Sequence, residues 1–312
     1  MTYRESTREA FGKALVDLGR ENKDIVVLGG DLNKSTMAVL FGNEFPERFF
    51  DVGAAEQNML SMAAGFAAAG KIPICTTFAV FGTGRAFDQI RVGIAQSNLN
   101  VKLVCTHAGL LTAEDGISAQ SLEDLSLMCS LPPMTVLTPS DGPETVSALK
   151  TAIDTQGPMY MRLYRPATLV MHENGSNFKL GTIEVLRAGD DVTLIGCGPL
   201  LESVLVAAEE LKEQGISAEV LNVSTLKPLD EKTLVQSITK TKAVVTAEEH
   251  YINGGLGSMV ASALARNYPA PQEFIAMHQY AESGEAGLLL EKYGLSSRSI
   301  TEAAKKVIKR KI

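Results

Sequence analysis

The feature of this sequence that most restricts its fold is a regular alternation of short apolar runs with amphipathic segments of helical period. The first apolar run covers residues 25–28, and comparable runs recur at 73–77, 101–106, 134–138 and 159–164. Continuous apolar strands separated by helices are typical of parallel sheets that are covered on both faces, because parallel neighbours need a crossover connection. The sequence therefore predicts an α/β protein with mainly parallel sheets flanked by helices.

A polar segment divides this alternation into two halves. Residues 172–177 have the sequence HENGSN, which is typical of a turn or linker, and a second series of apolar runs begins at residue 192. A chain of 312 residues is long enough for two separate cores. We therefore predict a first domain over residues 1–166, a linker over 167–190 and a second domain over 191–312.

Charge and cysteine usage exclude several classes of function. The 29 basic and 36 acidic residues give a net charge of −7, which argues against a nucleic-acid-binding surface. The polar N-terminus predicts no signal peptide, and Lys71 interrupts the most apolar stretch, so no membrane span is expected. Cys75, Cys105, Cys129 and Cys197 form no CxxC pair. This spacing predicts reduced thiols in a cytoplasmic protein, and no metal site.

Glu56 is a candidate acid–base residue. It begins a predicted helix and shares a face with Met59, Leu60 and Ala63, while residues 49–70 contain no Lys or Arg. A buried carboxyl group without a nearby cation can hold a proton near neutral pH, as acid–base work requires. A glutamate that turns to solvent or caps the helix fits the same pattern, and by composition alone that plainer interpretation is favoured.

Three further candidate groups follow predicted strands, at the edge where α/β proteins bind ligands. Phe78 and Phe81 could stack on a planar ring, although ordinary core packing is the simpler interpretation. His107 and Asp115 share a Gly-rich loop and are competent for hydroxyl recognition and proton transfer, with a structural role equally open. Arg165 ends the last strand of the first half, where it could bind an anion or form a surface ion pair.

A set of motifs follows one order along the chain. In chain order, the motifs are TR (7–8), GDLNKST (30–36), AEQNM (55–59), TFAVF (77–81), RAFDQIR (85–91), His107 with EDG (114–116), PSDG (139–142), RP (165–166), KPLD (227–230), and EEHY (248–251) with GGLG (254–257). This set resembles the transketolase family, specifically its C-terminal half, and the resemblance runs from about Arg8 to the C-terminus.

The resemblance implies a pyrimidine-binding domain of the thiamine-diphosphate-enzyme fold, followed by a transketolase C-terminal domain. Transketolases use thiamine diphosphate and a divalent metal such as Mg²⁺ to move a two-carbon ketol unit between sugar phosphates. The GDG…N motif of the family's diphosphate-binding domain does not occur in this sequence. The resemblance therefore implies one subunit of a split transketolase, which self-associates across a twofold axis. A separate N-terminal-half subunit would carry the GDG…N motif and hold most of the Mg²⁺ contacts.

The resemblance also implies roles for the candidate residues in cofactor binding. Glu56 matches the family's glutamate that hydrogen-bonds the aminopyrimidine ring nitrogen, which makes it both a catalytic and a cofactor-binding residue. Phe78 and Phe81 match the aromatic cradle around the pyrimidine, with Phe81 the closer stacking candidate.

Five positions match the family's substrate contacts. Arg8, Ser35 and Arg165 match positions that bind the substrate phosphate. His107 and Asp115 match positions that meet the sugar carbonyl and hydroxyl groups, and His107 is also a candidate catalytic residue.

One departure from the family pattern keeps alternatives open. Ala119 stands where many transketolases have a His or Gln that reaches the cofactor's amino group. The alternatives are the beta subunit of a 2-oxo-acid dehydrogenase, a deoxyxylulose phosphate synthase half and a non-catalytic regulatory half. Two features argue against the dehydrogenase, namely the loop from His107 to Gly116 and the phosphate-site arginines Arg8 and Arg165. Ala119 argues mildly for the regulatory half.

Overall fold

The computed structural model describes residues 3–172 and 175–311. The outermost residues of the predicted domains and the middle of the predicted linker lie outside the described residues. The strands are β1 (Arg4–Ser6), β2 (Ile25–Gly29), β3 (Phe49–Asp51), β4 (Ile72–Thr76), β5 (Lys102–Cys105), β6 (Thr135–Leu137), β7 (Met159–Arg162), β8 (Ala167–Leu169), β9 (Glu184–Arg187), β10 (Val192–Gly196), β11 (Ala218–Asn222), β12 (Thr225–Lys227), β13 (Val244–Tyr251) and β14 (Gln272–Met277).

Helices connect most of these strands. They are α1 (Thr7–Glu21), α2 (Val39–Glu44), α3 (Glu56–Ala68), α4 (Asp124–Cys129), α5 (Gly142–Asp154), α6 (Leu201–Glu213), α7 (Glu231–Thr241), α8 (Leu256–Asn267), α9 (Ala286–Lys292) and α10 (Ser297–Ile308). None of the helices in the described part of the chain combines the length and the apolar character that crossing a membrane requires.

The first sheet has seven strands in the order β12-β6-β7-β5-β4-β2-β3. Strands β6, β7, β5, β4, β2 and β3 are parallel to one another. Strand β2 shows why its sequence is continuously apolar. Ile25 and Val27 face one apolar cluster, with Phe11 of α1, while Val26 and Leu28 face the other. Successive side chains of a strand alternate between faces, so a strand covered on both faces needs apolar residues at every position.

The second sheet has five strands in the order β14-β13-β10-β11-β9. Its strands are parallel except β9, which runs antiparallel to β11. Helices α6 and α10 pack on one face, against Val192 and Leu194, and α7 and α8 pack on the other. The predicted α/β class, with mainly parallel sheets flanked by helices, is confirmed.

The two halves of the chain are more closely joined than the sequence suggests. Strand β12 comes from the second half, yet it pairs antiparallel with β6 of the first sheet. One apolar cluster contains residues of both halves, among them Val136 of β6 and Leu226 of β12. Within residues 167–190, predicted as a linker, β8 pairs with β1 and β9 joins the second sheet.

Three local features of the helical segments are irregular. Two wide π-helical segments lie at Phe81–Arg85 and Gln89–Ala95. The C-terminal helical stretch is divided into α9 and α10 at Gly294, whose φ of +72° interrupts a right-handed helix. Ser6 occupies the N-cap position of α1 without a side-chain capping bond, because its hydroxyl faces the carbonyl of Arg165.

Candidate functional site

The candidate residues lie along one edge of the first sheet. Strands β7, β5, β4, β2 and β3 are adjacent and parallel, so their carboxyl ends meet at the same edge. Arg165 follows β7, His107 follows β5, Phe78 follows β4, Ser35 follows β2 and Glu56 follows β3. Residues that are far apart in sequence are therefore brought to one surface by the strand order.

Glu56 is the first residue of α3, and it is 1% exposed. Its two carboxylate oxygens accept from Nη1 of Arg85, at 3.0 and 3.3 Å. The sequence expectation that this carboxyl group is unpaired is therefore wrong, because the cation comes from a segment 29 residues later. The Arg85 side chain is about half exposed, so it is the member of the pair that can move aside.

Three rings form a row that Arg85 links to Glu56. The Phe78 and Phe81 rings are nearly parallel, with centroids 5.9 Å apart, and the His107 ring stacks on Phe78 at 3.7 Å. The Arg85 guanidinium lies over the Phe81 ring, 4.6 Å from its centroid. Phe78 is covered by its neighbours while Phe81 is only partly buried, so Phe81 is the ring that remains open to a planar ligand.

His107 is buried in a left-handed backbone conformation, with φ of +55°. Its Nδ1 lies 2.9 Å from the hydroxyl oxygen of Thr106. Burial, together with the positive charges of Arg8 and Arg165, lowers the pKa of His107 to about 3. The imidazole is therefore neutral at physiological pH, and it can exchange hydrogen bonds with a ligand without carrying a charge.

The predicted anion-binding residues form two groups. Nη1 of Arg8 donates to the carbonyl oxygen of Ser35 at 2.8 Å. Nη1 of Arg165 donates to Glu114 at 3.0 Å and lies 3.5 Å from Asp115. The structure thus places Arg8 with Ser35 and Arg165 with Asp115. An anion that binds Arg165 has to compete with these two carboxylates for the guanidinium. The sequence did not predict this competition.

Sequence reasoning assigned no role to Arg85, although that residue contacts both Glu56 and Phe81. The available signal was its place in the RAFDQIR motif, directly after the aromatic pair. Its partner could not be inferred from that position, since nothing in the local sequence shows which distant side chain a residue in an irregular turn will reach.

A cluster of ionisable side chains lies at the junction of the two halves. Asp141, Glu144 and His172 place ligand-type atoms within 4.8 Å of one another. Nδ1 of His172 lies 2.8 Å from Asp141, and Nε2 lies 2.9 Å from Glu184. Burial lowers the pKa of His172, but the hydrogen bonds to these two carboxylates outweigh it and raise the pKa to about 9. Because both ring nitrogens face carboxylate oxygens, the ring donates to both, and the cluster forms an ion-pair network.

Two family models match the chain along most of its length. Residues 5–169 match "Transketolase, pyrimidine binding domain", and residues 181–300 match "Transketolase, C-terminal domain". The chain belongs to the transketolase family. The motifs at the carboxyl edge of the first sheet are therefore interpreted within that family.

Individual transketolase relatives agree with this assignment. A "Putative transketolase C-terminal section" from Methanocaldococcus jannaschii is 42% identical over 299 residues, covering 95% of this chain and 94% of that protein. "Transketolase-like protein 2" from Mus musculus is 43% identical over 307 residues, but the chain spans only 49% of its length. The chain therefore corresponds to the C-terminal half of longer transketolases.

A solved structure shows the same arrangement of domains. "Split gene transketolase, inactive beta4 tetramer" is 45% identical to this chain and superposes with a TM-score of 0.91, covering 98% of this chain and 99% of that one. The agreement includes both sheets, so the transketolase pyrimidine-binding and C-terminal folds are both present here.

Proposed function

We propose that this chain is the C-terminal-half subunit of a split, thiamine-diphosphate-dependent transketolase. The assembled enzyme would transfer a two-carbon ketol unit from a ketose phosphate to an aldose phosphate. The observation that carries the proposal is the buried Glu56 carboxylate, which Arg85 links to the partly open Phe81 ring, at the carboxyl edge of a parallel sheet. Membership of the transketolase family makes this edge the expected cofactor surface.

The residues present fit thiamine diphosphate. Phe81 offers an aromatic face to the pyrimidine, and Glu56 offers a buried carboxylate whose one cationic partner is half exposed and movable. When bound, the cofactor supplies the carbon nucleophile needed for ketol transfer. We propose that Glu56 and Phe81, with Phe78 behind them, hold the pyrimidine. Because the sequence has no GDG…N motif, we propose that Mg²⁺ is held mainly by the partner subunit.

The remaining residues would handle the sugar phosphate. Neutral His107 can hydrogen-bond a carbonyl or hydroxyl group, and Asp115 lies on the same loop, close to Arg165. Arg8 and Arg165 supply positive charge, with Ser35 beside Arg8. Nε of Arg8 is buried without a hydrogen-bond partner among the described residues, as expected of a guanidinium that has a ligand to bind.

We also propose the assembly and the compartment. A relative described as an inactive beta4 tetramer supports self-association of this half and its need for a separate N-terminal-half subunit. Cys75, Cys105, Cys129 and Cys197 are all free thiols, which supports a cytoplasmic location.

The test is reconstitution with the N-terminal-half subunit, thiamine diphosphate and Mg²⁺. We expect ketol transfer between at least one ketose phosphate and one aldose phosphate in a panel of both. A complex that binds the cofactor but decarboxylates 2-oxo acids instead would contradict the proposal and support the dehydrogenase alternative. A complex that binds the cofactor and transforms neither class would support the non-catalytic alternative.

A further inference from the structure

The loop that carries His107 and Asp115 has an unusual backbone. Within residues 107–116, His107 and Ala113 have φ of +55° and +61°, and Gly109 and Gly116 also have positive φ. Left-handed conformations of non-glycine residues cost about 1–2 kcal/mol each, so they persist only where neighbouring groups hold them. The groups that stabilise this backbone therefore determine the conformation of the loop.

The carboxylate of Glu249, in β13 of the second sheet, lies under this loop. Glu249 is 1% exposed, and its Oε2 accepts a hydrogen bond from the backbone N–H of Leu111 at 3.2 Å. A Cβ added to Gly109 would lie only 2.1 Å from Oε2, so the loop backbone rests directly on the carboxylate.

Other groups of the second half hold the far side of the same loop. The hydroxyl of Ser283 donates to the carbonyl oxygen of Glu114 at 2.6 Å. Gln120, just after the loop, donates to the carbonyl oxygen of Glu282 at 3.0 Å. The second half therefore contacts the loop at Leu111 and Glu114, and the chain just beyond it at Gln120.

We propose that Glu249 is a positioning residue for the proposed transketolase reaction, on which this inference rests. It does not lie among the site residues, but by accepting a hydrogen bond from the backbone N–H of Leu111 it fixes where His107 and Asp115 point. The second half of the chain, which supplies none of the proposed site residues, thereby contributes to sugar binding. Burial raises the pKa of Glu249 to about 7. It also strengthens each hydrogen bond that the carboxylate accepts, which supports a positioning role.

The first test compares Glu249→Ala and Glu249→Gln in the reconstituted complex. The alanine variant removes the acceptor, so we expect KM for the sugar phosphate to rise about tenfold or more. The dissociation constant for thiamine diphosphate should stay within about twofold, because Glu56 and Phe81 lie on other strand ends. The glutamine variant keeps one acceptor oxygen in place, and we expect it to restore most of the lost affinity.

Glu248→Ala is the matched control. Glu248 is equally buried on the same strand, but it accepts from the backbone N–H groups of Leu256 and Gly257 at the start of α8. We expect this variant to lower the melting temperature without changing KM for the sugar phosphate. An equal rise of KM in both variants would show that Glu249 acts only through general stability, and would overturn the proposal.

A second readout does not depend on catalysis. Hydrogen–deuterium exchange of a peptide covering 109–116 in the isolated chain should be faster in Glu249→Ala and unchanged in Glu248→Ala. If the alanine variant does not fold, Glu249→Asp retains the charge but shortens the reach by one methylene, and the same changes are expected.

Wild-type-like exchange, or faster exchange with an unchanged KM, would overturn the inference. An inactive wild-type complex would instead contradict the proposed function, while the exchange result would still decide whether Glu249 holds the loop.

Discussion

At the residue scale, the central proposal is that the Glu56 carboxyl group acts as an acid towards the pyrimidine of the cofactor. Glu56→Gln keeps the size of the side chain but removes its ability to act as an acid. Because general acid–base groups contribute about 10²–10⁴-fold, we expect hydrogen–deuterium exchange at C2 of bound thiamine diphosphate to slow by that factor in the reconstituted complex. Asn58→Ala, an exposed change on the same helical turn, is the control and should leave the exchange rate unchanged. A C2 exchange rate of Glu56→Gln within about twofold of wild type would contradict this role of Glu56.

Arg165 provides a separate test of phosphate binding. Arg165→Ala removes a charge-assisted contact, so KM for phosphorylated substrates should rise with little change in kcat. We expect a rise of about tenfold, at the low end of the usual range, because Glu114 and Asp115 already balance part of the charge. Steady-state kinetics are the measurement. Arg187→Ala, which breaks a pair with Glu209 in the second half, should leave KM unchanged. The same rise in both variants would mean that Arg165 has a structural role only.

The sequence predicted the clustering of the candidate residues more reliably than the contacts among them. Glu56, Phe78, His107 and Arg165 could be placed at one edge because each follows a strand of a parallel sheet, and that rule needs only the order of elements. The partners of Glu56 and Arg165 could not be predicted. Each ion pair joins side chains 29 or more residues apart, and its geometry depends on loops whose backbone has no periodic signal in the sequence.

At the element scale, the five apolar runs of the first half match strands β2, β4, β5, β6 and β7 to within two residues at each end. Elsewhere, tertiary contacts override the local pattern. At Gly82, in the first π-helical segment, a Cβ would lie 2.8 Å from the sulfur of Cys105, so this segment packs closer to the sheet than an ordinary helix does. Strand β12 is short, and its pairing with β6 depends on the path of the whole second half.

The His172 network predicts how stability depends on pH. The folded pKa of about 9 lies above the ordinary value of 6.5, so the network stabilises the fold fully below about pH 6.5 and loses this contribution as the pH rises through 9. We expect the difference in melting temperature between wild type and His172→Gln to be several degrees at pH 6.5 and to shrink towards pH 10. Differential scanning calorimetry over that range is the measurement.

The control for the pH experiment is His278→Gln, because His278 is exposed. Its melting temperature should follow that of wild type across the same pH range. A difference between wild type and His172→Gln that stays constant with pH would mean that the charge on His172 does not stabilise the junction between β9 and α5.

At the scale of the whole molecule, the open sheet edge predicts weak cofactor binding by the isolated chain. The proposed contacts in this chain reach only the pyrimidine, so the diphosphate and Mg²⁺ would have no partner without the second subunit. We expect calorimetry to show at most weak binding of thiamine diphosphate by this chain alone, and much tighter binding after the N-terminal-half subunit is added. Tight, Mg²⁺-dependent binding by this chain alone would contradict the split assignment.

The return of β12 to the first sheet limits how this chain could be divided into separate fragments. A break in the segment between β8 and β9 would separate β12 from β6, leaving β6 as a free sheet edge on one fragment. It would also open the apolar cluster that both halves share, exposing Val136 on one fragment and Leu226 on the other. Neither fragment would be a self-sufficient folding unit, and each would be prone to aggregate when produced alone. The two halves therefore have to be synthesised as one chain. Otherwise they have to associate with each other before their exposed strands pair with those of other molecules.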